Sequence, residues 1–282
     1  MIKKIKQVVF FGILLSTSWM GHAQVVIDIR YFPEAKYTVE SKQTSTITVD
    51  IKGNEEFKRN FEKSGTKLPL MMNNDVFLSS IIETGKQEGD KIGFNTTFTA
   101  FDQKFAINGQ PETVPNFLGE AVISGTYTDG NKIDITSIKG DKLDVDTKQL
   151  VTQMIREVSK NFSFPTRPIA MGENFKLEMN ASFPAGPMGN IELVMEYNFI
   201  LQTKKGHLSY FDFVVNVKSV VYKDKSIKVR GNGTGKMVYN SQIKLLEDLQ
   251  NEMDIEISGV SEEFLLTAKM KSTSRIQTKK LK

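Results

Sequence analysis

His207 is the only imidazole outside the first 23 residues, so a serine-histidine-carboxylate relay would have to be built on it, and a multi-histidine zinc site is ruled out. It directly follows Gly206, where a solvated turn position is the expected role, and no Gly-x-Ser-x-Gly elbow accompanies it. The chain has no cysteine, which removes thiolate nucleophiles, thiolate metal ligands and disulfides. The run from Arg230 through Gly231, Gly233 and Gly235 to Lys236 superficially resembles a phosphate loop. Walker spacing asks for glycine where Arg230 stands and for Ser or Thr where Met237 stands, so glycines that relieve crowding in a bent strand account for it better.

The carboxylates are no more specific. Asp141, Asp144 and Asp146, or Asp129, Asn131 and Asp134, offer hard oxygen ligands, but neither set has the spacing of a calcium loop, and turn and cap roles account for Asp129 and Asp146. Glu262 and Glu263 are adjacent, so on a strand they point to opposite faces and cannot flank one glycosidic bond. The sequence therefore predicts no catalytic residue, no metal and no cofactor.

The elements that would carry any site are overwhelmingly strands. Ala35 to Ile51 alternates Tyr37, Val39, Ile47, Val49 and Ile51 with Lys36, Glu40, Lys42, Thr46 and Asp50, the pattern of a strand with one wet face. Val76–Thr84 and Lys91–Phe101 read as a hairpin around Gly89. Asn108-Gly109 and Asp129-Gly130 are hairpin dipeptides, and the second lies between the strands Glu120–Tyr127 and Lys132–Ile138. Later, Ile191 to Leu201 turns at Lys205-Gly206 into the strand bearing Phe211, Phe213, Val215 and Val217. Leu245 to Met253 is ambiguous, since Leu246, Leu249 and Met253 fit a helix while Asp254 to Ile257 alternates; strand through Ile257 is the favoured reading, and Phe264 to Ile276 is the last strand. Leu68 to Asn74 reads as an apolar linker.

Between these runs Leu150, Val151, Met154, Ile155, Val158 and Phe162 recur at spacings of three and four, predicting a helix over 146–162. Asp146 would cap it, with Gln149 as capping-box partner and Val145 and Leu150 as a hydrophobic staple; Pro165 and Pro168 end it. Asn54, Glu55, Glu56, Phe57 and Phe61 predict one short extra helix. The expected fold is mainly β: long curved antiparallel sheet in two pseudo-repeated halves, 24–145 and 164–282, joined by the helix at 146–163. The glycine turns at Gly89 and Gly206, and the glycine-punctuated strands near Gly125 and Gly233, recur in the same order.

Residues 1–23 read as a secretory signal peptide: Lys3, Lys4 and Lys6, then Val8 to Leu15, then Gly21-His22-Ala23. Three of the 37 basic residues and none of the 33 acidic ones would leave with it, lowering the net charge from +4 to +1, so the charge gives no argument for nucleic acid. The destination implied is the periplasm or the medium, as a soluble chain with no acylated cysteine and no transmembrane segment after cleavage.

Phe164-Pro165-x-x-Pro168-x-x-x-Gly172-x-x-Phe175, followed by strand-turn-strand and Gly233-x-Gly235, resembles an uncharacterised family of secreted bacterial β proteins with a duplicated plan. More loosely, a long curved sheet with few helices resembles the lipoprotein-carrier fold of the periplasm, which implies shelter for acyl chains. Apolar side chains in two loop-like stretches, Leu70, Met71 and Met72 in one and Met188 in the other, are the candidate ligand contacts, because methionine-rich surfaces adapt to varied apolar ligands. The leading expectation is a non-enzymatic extracytoplasmic protein that binds a lipid or acyl group. A structural or interaction module of the cell envelope, whose sheet edges and basic C-terminal strand bind protein or polysaccharide, is the second. A carboxylate-dependent hydrolase is the third.

Overall fold

The computed structural model describes residues 24–53, 59, 68–114, 116, 118–128, 132–145, 147–149, 151–152, 164–184, 190–219, 226–260 and 264–281, with side chains of 181–192, 219–227 and 260–264 excepted. The fold is mainly β, as the alternation predicts. Five strands lead in the N-terminal half: β2 (Lys36–Gly53), β3 (Leu70–Glu88), β4 (Lys91–Ile107), β6 (Val122–Thr128) and β7 (Lys132–Lys139), after the short β1 (Gln24–Val25) and with β5 (Gln110–Glu112) beside β4. Then come β8 (Ile169–Ala170), β9 (Asn174–Pro184), β10 (Asn190–Lys205), β11 (Leu208–Ser219), β12 (Ser226–Asn240), β13 (Leu245–Val260) and β14 (Phe264–Lys280).

Twelve strands form one antiparallel sheet in the order β7-β6-β4-β3-β2-β14-β13-β12-β11-β10-β9, with β5 on β4; β1 and β8 pair separately. Each half meanders by hairpins, so its neighbours follow from local turns. Glu88 faces Lys91 across Gly89-Asp90, Lys205 faces Leu208 across Gly206-His207, and Asn108 and Gly109 both hold positive φ (49° and 79°) in the turn to β5. The two halves meet through β2 and β14, paired from Tyr37↔Lys280 to Gly53↔Phe264. Among the described residues the edge strands β7 and β9 do not pair with each other.

Two expectations are corrected. Leu70 to Asn74 is not a linker: it is the beginning of β3, with Leu70 opposite Val49 and Met72 between Ile47 and Ile107. The strand was hidden because Leu70, Met71 and Met72 are apolar on both parities. The connecting helix starts earlier than its apolar spacing suggests. Val145, 147–149 and 151–152 are helical, and the cap is Asp144: its Oδ1 accepts from Thr147 N at 2.7 Å while Lys148 N donates to Asp144 O at 3.1 Å. Thr147 therefore takes the capping-box position assigned to Gln149, and Val145 is 68% exposed rather than stapled. The rest of that helix lies outside the described residues, as does the predicted short helix apart from Arg59, which is helical.

The apolar side chains form two clusters on the same face of the sheet. One gathers Phe175, Phe199, Phe211, Phe213, Val215, Met237 and Tyr239 of β9–β12 with Val25, Ile27 and Ile169; the other holds Tyr37, Ile82, Phe94, Ile123 and Leu245. The N-terminal arm 24–35 runs across both. Tyr239 Oη donates to the Asp28 carbonyl, Phe32 N donates to Tyr37 Oη at 2.9 Å, and Ala35 N donates to Thr84 Oγ1 at 2.9 Å. The Phe164-Pro165 motif is structural: Phe164 packs edge-on to Phe175 and Phe199, and Gly172 supplies a φ of 76° after β8.

Candidate hydrophobic-ligand surface

The faces of the central strands differ in kind. On one face β12, β13 and β14 carry ladders of opposite charge. Arg230 Nη2 lies 2.7 Å from Glu256 Oε2, Arg275 Nη2 lies 2.7 Å from Asp248 Oδ2, and Lys271 lies 4.0 Å from Asp254. The Arg230 hydrogen bonds hold Glu256 below the usual carboxylate range. Burial pushes Asp248 up, but the Arg275 and Gln250 hydrogen bonds outweigh it and the net shift is downward. Such exposed pairs contribute little stability; their importance is that this face is wet. Lys269, Lys271 and Arg275 of the basic C-terminal strand belong here, on a strand flanked by β13 and β2 rather than at an edge.

The wet face is hollowed at mid-strand. A cavity of about 610 Å³ is lined by side chains from β10 to β14 and β2, including Asn198, Asp212, Lys236, Glu252, Arg275 and Lys42. Six adjacent strands can share one hollow only where the sheet curls toward it. On the other face core side chains lie against the glycines of β12. A Cβ at Gly235 would lie 2.2 Å from Phe213 Cζ, one at Gly233 2.8 Å from Met253 Cγ, and one at Gly231 2.9 Å from Ile255 Cγ1. The run that resembled a phosphate loop is thus a strand whose glycines accept close packing.

On the core face, register sorts the distal ends of β4, β3, β2 and β14. Ile107, Met72, Ile47 and Met270 stand side by side, and the next row holds Leu70, Val49 and Ala268. All are half-buried, and of the described residues Ile47, Val49, Leu70, Met72 and Ile107 belong to neither apolar cluster. They form an apolar plate. Leu70 and Met72 are therefore brought together; Met71, 44% exposed, points to the opposite face, its backbone bonded to Asn108; Met188 lies outside the described residues. The five plate residues besides those two were missed because they come from three other strands, whose order no local pattern reveals.

A second cavity, about 640 Å³, lies under the N-terminal arm, lined by Ile27, Ile29, Tyr31, Phe32, Tyr127 and Phe164, with Asp28, Arg30, Gln87 and Thr166 among its polar residues. Tyr31 stacks on Tyr127 at 4.5 Å, and Tyr127 lies 4.3 Å from Phe94. Burial pushes the Tyr31 phenol up, and the Tyr127 phenol well up. This cavity and the plate lie toward opposite ends of the 19-residue β3, whose length along the strand is about 60 Å at ~3.3 Å per residue.

The remaining chemical candidates are not assembled. His207 is exposed in the β10–β11 turn, and Asp144 serves the helix cap. Asp129, Asn131, Asp146, Glu262 and Glu263 lie outside the described residues, and among those described no three His, Asp or Glu converge as a metal group would. No described helix is long and apolar enough to cross a membrane.

What the fold and surface define is a mainly-β protein with one large antiparallel sheet, wet on one face and apolar on the other. No family model and no curated protein matches the chain. Among solved structures it is similar to lipovitellin, described for its lipid–protein interactions, at TM-score 0.50 and 8% identity; the match covers 89% of this chain and 25% of that one, so the chain spans a quarter of that protein's length. Two further structures match at far lower similarity: the translocator domain of the autotransporter NalP from Neisseria meningitidis (TM-score 0.20, 8% identity, 96% of each chain) and an outer membrane channel from Pseudomonas putida F1 (TM-score 0.21, 6% identity, 90% of this chain and 98% of that). The lipovitellin likeness supports the sheet architecture alone.

Proposed function

We propose that this chain is a non-enzymatic extracytoplasmic protein that binds a lipid or acyl group on the apolar face of its sheet. The observation that carries the reading is the plate of Ile47, Val49, Leu70, Met72, Ile107, Ala268 and Met270, an apolar surface on adjacent strands whose first five members belong to neither core cluster of the described residues. An acyl chain laid on it gains up to about 0.8 kcal/mol per methylene removed from water. That lipovitellin, a protein of related sheet architecture, is described for lipid interactions is consistent with this use. The leader-like residues 1–23 support export to the periplasm or medium.

Native mass spectrometry of the purified protein, before and after organic extraction, tests the reading alongside titration with a fluorescent acyl probe. The expected result is an extractable lipid mass and saturable probe binding that Met72→Lys weakens at least tenfold. Thr48→Lys, which adds the same charge to the opposite face of β2, leaves binding within twofold. A clean apo mass with no probe uptake would sink the proposal.

A further inference from the structure

The apolar plate is bounded on its own face by a seam of a different chemistry. In the next two rows, toward the N-terminal arm, stand Phe105, Asn74, Ser45 and Ser272, then Gln103, Val76, Gln43 and Ser274, from β4, β3, β2 and β14 in turn. Asn74 Oδ1 accepts from Gln103 Nε2 at 2.8 Å, and beyond the seam's edge Asn251 Oδ1 accepts from Ser274 Oγ at 2.7 Å. Ser45 and Ser272 are buried, whereas Gln43 is exposed.

Apart from Val76 and Phe105, the seam consists of amides and hydroxyls, and it carries no charge. This extends along the face: the residues sharing it on β2 from Tyr37 to Ile51, on β3 from Leu70 to Thr84 and on β4 from Phe94 to Ile107 include no Asp, Glu, Lys or Arg. The same strands carry Glu40, Lys42, Asp50, Asp75, Glu83, Asp102 and Lys104 on the opposite face. A charged headgroup at the seam would lose water without meeting a counter-charge, a costly exchange. Ester, amide or hydroxyl groups could instead exchange hydrogen bonds with water for hydrogen bonds with amides and serines.

Resting on the reading above, we infer that the ligand is an amphipath with an uncharged, hydrogen-bonding headgroup, such as a monoacylglycerol: its chain lies on the Ile47–Met72 plate and its headgroup on the Gln43–Asn74–Gln103 seam. The seam thus selects the headgroup while the plate supplies affinity. Selectivity and affinity should therefore be separable by substitution.

The test compares three ligands of one chain length at pH 8: a monoacylglycerol, the fatty acid anion and an alkyl trimethylammonium ion. The wild-type protein should bind the monoacylglycerol about tenfold or more tighter than either ion. The double variant Asn74→Leu/Gln103→Leu, which removes both partners of one hydrogen bond, should retain chain binding and lose the preference. Gln43→Met, at an exposed position with little effect on folding, should reduce it, and thermal melts establish that each variant is folded. Equal binding of all three ligands by the wild type, or a preference unchanged in the folded variants, overturns the headgroup assignment and leaves the plate standing. Failure of every ligand to bind removes the plate reading as well.

Discussion

Gly235→Ala provides a sharp test of the packing on β12 because two general effects predict opposite signs. Where an alanine fits without strain, replacing glycine stabilises by about 0.4–1 kcal/mol through the unfolded chain. At Gly235 φ is not positive, so the backbone itself poses no objection. The added methyl, however, would stand 2.2 Å from Phe213 Cζ and 2.3 Å from the Gln250 carbonyl oxygen. Carbon pairs rest at about 3.5–4.0 Å, so the overlap with the ring exceeds 1 Å. The Phe213 ring is 3% exposed and held by Phe199 at 4.8 Å and Tyr197 at 5.9 Å, so it cannot swing clear, and the carbonyl belongs to the paired strand. Overpacking of this kind costs about 3 kcal/mol, the upper end of its usual range. Urea unfolding should show a lower midpoint at unchanged slope. In a Phe213→Leu background the cost should fall by about 1 kcal/mol, leaving the carbonyl contact. Gly93→Ala, in β4 with no heavy atom within 4 Å of the added carbon, should be neutral or stabilising. If Gly235→Ala behaves like Gly93→Ala, Phe213 does not lie against the β12 backbone.

Two further outcomes follow from buried polar groups. Ser209 is fully buried and its Oγ has no hydrogen-bond partner among the described residues, so Ser209→Ala should be neutral or stabilise by up to about 1 kcal/mol in the same urea assay; a loss above that would mean the hydroxyl is bonded. Burial raises the phenols of Tyr31, Tyr37, Tyr127, Tyr197 and Tyr239 above the ordinary value of 10.0. The fold keeps them neutral while the unfolded chain ionises near that value, so their contribution is complete below about pH 10 and is lost as pH rises through the raised folded values. Melting temperature should fall steeply above pH 10, with phenolate absorbance appearing together with unfolding. Ionisation of those phenols in a still-folded protein would contradict their burial.

Much of the fold was legible because its information is local. Alternation identified the long strands, and Gly89, Asn108-Gly109 and Gly206 marked turns that only φ-permissive residues fill cheaply. The glycines of β12 were read as relief from crowding, and the Phe213, Met253 and Ile255 contacts supply the crowding. Where local rules compete, the reading slipped. Asp144 and Asp146 are both able caps, and only the Thr147 and Lys148 bonds distinguish them. Leu70-Met71-Met72 lacks alternation because Met71 is an exposed hydrophobe on the wet face. The pairing of β2 with β14 could not be read at all, since more than 200 residues separate Tyr37 from Lys280 and no turn connects them.

That long-range pairing decides what the candidate surface is. Read singly, Ile47, Leu70, Ile107 and Met270 are each one apolar position in an alternating strand, and Gln43, Ser45, Asn74 and Ser272 are interruptions of such a pattern. Registered together, the apolar positions become one plate and the interruptions one seam, with four strands contributing to both. Polar groups withdrawn from water here, such as the buried Ser45 and Ser272, are desolvated at a cost that is recovered only with a partner. Over Tyr37–Ile51 of β2, Leu70–Thr84 of β3 and Phe94–Ile107 of β4, charged groups are confined instead to the other face. An uncharged polar strip beside a half-buried apolar plate is the surface expected where a ligand, rather than the protein's own interior, changes from hydrocarbon to headgroup, and it gives Leu70 and Met72 a role that their positions in sequence could not define.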